Sequence, residues 1–300
     1  MKIGVVIVTY NRLEKLKKCL SAYERQAFLP VFLHIVDNCS TDGSGSFLDA
    51  WADTPDPFQK SVFHSNVNLG GAGGFSLGIG QALSKGADWI WISDDDAYPD
   101  PDCLQKLSDY YTALPSAERS SIAGLCAKVR RPGGVSYLHR RRLRRSLLQL
   151  KEVPLRDADY INAVNDIDFF SFVGTAVRSS VIARAGLPNA DYFINYDDSE
   201  YSLRCRKYGI LRCLSDAAIL HDSPEDTIPT KNWKNYYAFR NKLYTYRQYF
   251  GRWYCFVEYL KHIYMILRHY NNFQTWKQFL QASIDACRGH LGQSSRTFFS

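Results

Sequence analysis

Residues 2–9 form an unbroken β-rich apolar run, the pattern of a strand buried on both faces of a parallel sheet. Leu13, Leu16, Leu20 and Tyr23 then recur at helical spacing over 14–23, and Pro30 lies beyond that helix. Val31–Val36 is a second strand, closed by the turn formers Asp37–Gly43. A short helix through Phe47–Trp51, a strand at Ser61–His64 and a glycine-rich segment follow. That segment leads into a helix over Phe75–Leu83, and Trp89–Ile92 is a fourth strand ending on Asp94-Asp95-Asp96. Farther on, the pattern predicts a helix near Leu104–Leu114, a strand near Ser121–Val129, β-rich Phe169–Arg178, and helices at Ser179–Ala185 and Ser199–Tyr208. After Pro229, Trp233–Arg268 is long, aromatic and helical in period. Alternating strands and helices predict an α/β fold with a mostly parallel sheet flanked by helices. Ligands in such folds bind beyond the carboxyl ends of the strands, where Thr9–Arg12, Asp37–Asp42 and Asp94–Asp96 all fall.

Charge divides the chain in a way that the pattern does not. The 300 residues carry 37 Lys+Arg and 30 Asp+Glu, a formal net charge of +7. Residues 128–145 alone hold +8 and residues 231–300 hold +9, which leaves an acidic body of −10. The last 70 residues also contain 19 of the 43 aromatics, so a body (1–230) and a helical, basic, aromatic-rich C-terminal extension (231–300) are expected. The extension has three open uses: packing on the body, lying on an anionic membrane, or stacking sugars or bases. The arginines of 130–145 are expected to form a mobile loop near the acceptor or the membrane. They also invite a nucleic-acid partner, which the acidic body argues against.

The longest apolar candidate for a membrane span, Trp253–Leu267, is broken by Glu258, Lys261 and His262. The six-residue run Ile3–Val8 lacks the pattern of a signal peptide, and the eight cysteines form no CxxC pair. The expected setting is therefore cytoplasmic, or peripheral on the inner face of the plasma membrane.

Asp94-Asp95-Asp96 is the strongest chemical feature. Three successive carboxylates repel unless a cation neutralises them, and carboxylate oxygens favour Mn2+ or Mg2+. Alternate residues of an extended chain point the same way, so Asp94 and Asp96 can share one ion while Asp95 points elsewhere. His221 could supply a third ligand, although a lone histidine is as often structural. The run Asn68–Phe75 permits close backbone approach to a phosphate or sugar. It is not a dinucleotide fingerprint, since Ser76 stands at the last glycine position and the run follows the third strand; there is no P-loop. Asp197-Asp198-Ser199-Glu200 offers a general base at the start of a helix, where acids also favour the positive dipole end.

In order and spacing, Val5–Arg12, Val36–Gly43, Asn68–Phe75 and Asp94–Asp96 resemble the family 2 glycosyltransferases of the GT-A fold. The glycine run, DDD in place of the usual DxD, and Asp197–Glu200 look most like the bacterial galactofuranosyltransferase branch. Tyr236-Tyr237-Ala238-Phe239-Arg240-Asn241 is similar to the YYxxRN signature of that branch and of related rhamnosyltransferases. The resemblance implies an inverting, metal-dependent transfer of galactofuranose from UDP-galactofuranose to a glycan or lipid-linked glycan, or the same reaction with a donor such as dTDP-rhamnose. Thr9, Asn11, Arg12 and Asp37 would then hold the uridine and its phosphates, with Asn68, Gly70 and Gly71 near the nucleotide sugar. Asp94, Asp96 and His221 would hold the metal, and Asp95 would face ribose or the donor sugar. Asp198 would be the base, and Asp197 and Glu200 would help to bind the acceptor.

Overall fold

The computed structural model describes residues 1–223, 233–269 and 273–294. In chain order the first half comprises β1 (Ile3–Thr9), α1 (Leu13–Glu24), β2 (Phe32–Asp37), α2 (Ser44–Ala52), β3 (Gln59–His64), α3 (Gly70–Ala82), β4 (Trp89–Asp94), β5 (Ala97–Pro99), α4 (Cys103–Ala113) and α5 (Ser116–Ser121). There follow β6 (Ile122–Arg131), β7 (Gly134–Val135), β8 (Arg140–Arg145), β9 (Leu150–Pro154), β10 (Val164–Ile167), β11 (Phe169–Phe170), β12 (Thr175–Arg178), α6 (Ser179–Ala185), α7 (Asp197–Arg206) and β13 (Ile210–His221). Three helices close the described chain: α8 (Lys234–Phe250), α9 (Arg252–His269) and α10 (Phe273–Arg288).

The main sheet has the order β10-β13-β6-β12-β4-β1-β2-β3, with β5 on β13 and β7 on β6. β4, β1, β2 and β3 run parallel, as buried strands joined by crossover helices must, while β12 enters antiparallel between β4 and β6. The sheet separates two apolar cores. One packs Leu16, Leu20 and Tyr23 of α1 and Leu104 of α4 against β1 and β4, and the other packs Phe75 and Ile79 of α3 against the opposite face. Register brings the site together: Thr9 pairs with Asp37, Asp37 with His64 and Val8 with Asp94, so these polar termini lie level along one edge.

Three sequence expectations change. The glycine run is not a loop before a helix but the first turns of α3. Gly74 and Gly78 let α3 lie close on the sheet, since a Cβ at either would meet Val8 or Val6 within 2.8 Å. The long C-terminal helix is interrupted at Gly251, whose φ of +92 lies in the left-handed region, and continues as α9.

The third change concerns the arginines: 140–145 are not a mobile loop but β8, paired with β9 and β11. Arg140 is buried and donates to the carbonyls of Ala127, His139, Val173 and Gly174. Arg141 pairs with Glu152, and Arg142 with Asp159. Their acidic and carbonyl partners come from distant segments, which a scan of neighbouring residues does not see.

Candidate active site

β4 ends on Asp94, and Asp95 and Asp96 form the turn that leads into β5, not a further stretch of extended chain. Asp95 turns towards β1, where it accepts from Thr9 Oγ1 at 2.7 Å and from Arg12 Nη1 at 3.1 Å. The same Arg12 nitrogen lies 2.8 Å from Asp96 Oδ2. Asp94 and Asp96 face His221, which the last residues of β13 bring opposite Ala97. One ligand atom from each of Asp94, Asp96 and His221 lies within 4.8 Å of the others.

Electrostatics in this cluster call for a cation. Burial and the charge of Asp96 push Asp94 up to about 7. Burial raises Asp95 to about 6 against the opposing pull of Arg12 and Thr9. Burial alone would also raise Asp96, but His221, Arg12 and Lys15 more than offset it and hold the group below its ordinary value. Asp96 Oδ1 is buried and has no aligned hydrogen-bond donor; His221 Nε2 approaches it to 3.2 Å. Two carboxylates and an imidazole with one carboxylate oxygen unsatisfied fit a hard divalent ion such as Mn2+ or Mg2+.

The strand ends beside the triplet interlock. Asn11, at φ 51, accepts from the Thr41 amide through Oδ1 at 2.7 Å and donates its own amide to Ser40 Oγ. Asp37 accepts from the Ser40 amide and from His64 Nδ1, each at 3.0 Å. Asn68 Oδ1 accepts from the Gly70 amide at 2.8 Å. A Cβ at Gly70 (φ +71) would lie 2.1 Å from the Phe193 carbonyl, whereas a Cβ at Gly71 would meet nothing within 4 Å. Gly70 thus fits a backbone-to-backbone contact, and Gly71 faces open space.

Asp197 and Asp198 open α7, directly after Phe193, Asn195 and Tyr196, all three with φ between 62 and 68. Non-glycine residues held in that region are strained, and the surroundings must pin them. Asn241 of α8 does so, donating to the carbonyls of Tyr192, Ile194 and Asn195 at 3.0, 3.0 and 2.8 Å. Arg240 beside it donates to the Tyr192 carbonyl at 3.2 Å and to that of Gly292 at 2.7 Å. The YYxxRN segment is therefore the clamp on the loop that carries the acidic pair.

Burial and the charge of Asp198 drive Asp197 well above the ordinary carboxylate range, with a smaller push from Asp94. Burial also raises Asp198, while the Arg141 guanidinium opposes it. Glu200 stands apart, because Arg204 engages both of its oxygens at 2.8 Å and Tyr249 donates to it from α8.

Residues 4–173 match the family described as Glycosyl transferase family 2. The chain belongs to that family. The transferase is 30% identical over 265 residues to the galactofuranosyltransferase GlfT1 of Mycobacterium tuberculosis, covering 82% of each chain. It is 28% identical over 225 residues to the dTDP-rhamnosyl transferase RfbF of Shigella flexneri, covering 73% of this chain and 68% of that one. Among solved structures, S. aureus TarS 1–349 superposes with a TM-score of 0.60 at 16% identity, covering 95% of this chain and 81% of that one. GalNAc-T7, crystallised with UDP, GalNAc and Mn2+, gives 0.61 at 13% identity, covering 90% and 58%. These likenesses establish the GT-A fold.

Sequence reasoning missed four residues of the candidate site. Asn38 binds the Leu69 amide, Asn68 Oδ1 and the Gly70 carbonyl, tying β2 to α3. Lys15 Nζ lies 3.6 Å from Asp96 Oδ2. His139 is buried with its ring edge-on to that of His221 at 5.0 Å. Arg141 Nη2 donates to Ser199 Oγ at 2.6 Å, beside Asp198. Asn38 stood inside a quoted motif and Arg141 inside the arginine stretch 130–145, whereas nothing local marks Lys15 and His139.

Proposed function

We propose that this glycosyltransferase is inverting and divalent-metal-dependent, and that it moves galactofuranose from UDP-galactofuranose to a hydroxyl of a glycan or lipid-linked glycan. The observation that carries the donor is the 30% identity with GlfT1 across most of both chains. Asp94, Asp96 and His221 would hold Mn2+ or Mg2+, which when bound supplies positive charge to the departing diphosphate. Arg12, on Asp95 and Asp96, adds a fixed cation beside it. Thr9, Asn11 and Asp37 line the edge assigned to the nucleoside, Asn68, Gly70 and Gly71 frame the sugar, and Asp95 faces ribose or the donor sugar.

Asp198 takes the proton of the acceptor hydroxyl as that oxygen bonds to the anomeric carbon and the bond to the diphosphate breaks. Asp197, whose protonated form is favoured by burial beside Asp198, helps to bind the acceptor, with Glu200 bracing the helix behind it. A single displacement inverts the anomeric centre. Residues 1–230 form the catalytic body in this reading. The extension, 231–300, braces the acceptor side and faces the cytoplasmic leaflet of the plasma membrane.

A second donor, dTDP-rhamnose, is favoured by the 28% identity with RfbF. The test is a panel of UDP-galactofuranose, dTDP-rhamnose and UDP-GlcNAc, with Mn2+ and then with EDTA. Turnover of UDP-galactofuranose is expected, abolished by EDTA and by Asp94→Asn or Asp198→Asn while the fold is kept. Turnover confined to dTDP-rhamnose would replace the donor, and undiminished turnover in EDTA would overturn the metal role.

A further inference from the structure

The tip of the β8–β9 hairpin exposes Leu147 at 91% and Leu148 at 73% of their surface, values unusual for two successive leucines. They do not stand alone. Trp253 Nε1 of α9 donates to the Leu147 carbonyl at 3.1 Å, and Tyr254 Oη donates to that of Ser146 at 2.8 Å. Lys261 Nζ reaches the Leu150 carbonyl at 3.0 Å, so the hairpin lies along the first half of α9. From Trp253, α9 continues the apolar surface through Phe256, Leu260, Tyr264 and Leu267, a stripe at helical spacing with every member exposed.

Charge on the same two elements is one-sided. Among their described residues, every exposed charged side chain is a cation: Arg144, Arg145, Lys151, Arg252 and Arg268. The two acids are turned inward. Glu152 is enclosed by Arg141, Tyr196 and Tyr246, and Glu258 by Lys242 and Lys261.

We propose that the hairpin tip and the outer face of α9 form one docking surface for an anionic bilayer. Leu147, Leu148, Trp253 and Phe256 enter the acyl boundary, and the surrounding cations meet lipid phosphates. Two copies of this face would set cations against cations, which disfavours self-association. A nucleic acid would leave the aliphatic stripe in water. β8 leads inward from this surface to Arg141 beside Asp198, about 20 Å away at the rise of an extended strand.

The test is co-sedimentation of the full chain with vesicles of phosphatidylcholine, alone and with about a third phosphatidylglycerol. The chain is expected to pellet with the anionic vesicles only and to release as salt rises. Leu147→Ser with Leu148→Ser, at positions too exposed to matter for folding, should weaken binding at least tenfold. Arg144→Gln with Lys151→Gln should remove much of the salt-sensitive part, with circular dichroism and melting unchanged. Failure to pellet with anionic vesicles overturns the proposal, as does a leucine variant that binds like the parent. A parent that dimerises through this face, becomes monomeric in the leucine variant and ignores vesicles would assign the surface to a second copy instead. Neither donor nor acceptor enters the readout, so an error in the sugar assignment would leave this result standing.

Discussion

Removing Arg141 should move the pH dependence of transfer, and by an amount that the geometry bounds. Its guanidinium donates to Ser199 Oγ at 2.6 Å, and that hydroxyl donates to Asp198 Oδ1 at 2.9 Å, so the two charges lie within about 5.5 Å. At an effective dielectric constant of about 20, unit charges at that separation attract by roughly 3 kcal/mol. Burial raises Asp198 and Arg141 opposes the rise, so Asp198, the proposed base, binds its proton more tightly once freed of Arg141. A base works deprotonated. The acid limb of kcat/KM should therefore shift to higher pH in Arg141→Met, and activity near neutrality should fall about ten- to a hundredfold. Arg141→Lys, which keeps the charge but not the fork, should recover part of the shift. The assay is release of nucleoside diphosphate at saturating metal across about pH 5.5–9, with thermal melting as a control on the fold. A loss by the same factor at every pH would refute the electrostatic role and leave Arg141 as a strut for the hairpin.

Three further outcomes follow from the loop facing α3. Gly70→Ala forces a Cβ onto the Phe193 carbonyl at a positive φ and should cost about 3 kcal/mol or more, seen as a fall of several degrees in the melting temperature. Gly71→Ala, with nothing in reach of its Cβ, should leave melting unchanged and isolate any effect on donor KM. Asn241→Ala removes the side-chain donor to the Ile194 and Asn195 carbonyls and leaves that of Tyr192 to Arg240 and the Ile194 amide. About 2–4 kcal/mol of stability should therefore go in urea titration, with kcat reduced because the loop before Asp197 loses its clamp. A variant with native stability and kcat would show that the loop holds its own shape.

What the sequence disclosed and what it hid follow from the range of the interactions. β1, β2 and β4 were legible because each is a continuous apolar run. The triplet was legible because three carboxylates directly after a buried strand need positive charge. They meet His221 on one side and Arg12 on the other, although a turn rather than a strand pleat arranges them. Hidden were contacts closed over long separations. The 140–145 arginines looked like solvated charge, yet Arg140 finds its carbonyls near 127 and 173, and Arg141 meets Ser199. The glycines looked like a ligand loop, yet Gly74 and Gly78 are spacers between helix and sheet.

Asn241 has a consequence for how such chains can be recombined. The helix that bears it lies in the extension, but its amide is bonded to the backbone on which the acidic pair sits. A chimaera spliced between β13 and α8 would separate a loop from the side chain that shapes it. One spliced at Gly251 would carry the clamp along and exchange only α9 and α10. The outer helices are not independent of α8, since Asp285 accepts from Tyr236 and the Gly292 carbonyl accepts from Arg240, so an exchange at Gly251 has to keep those contacts while α8 travels with the loop.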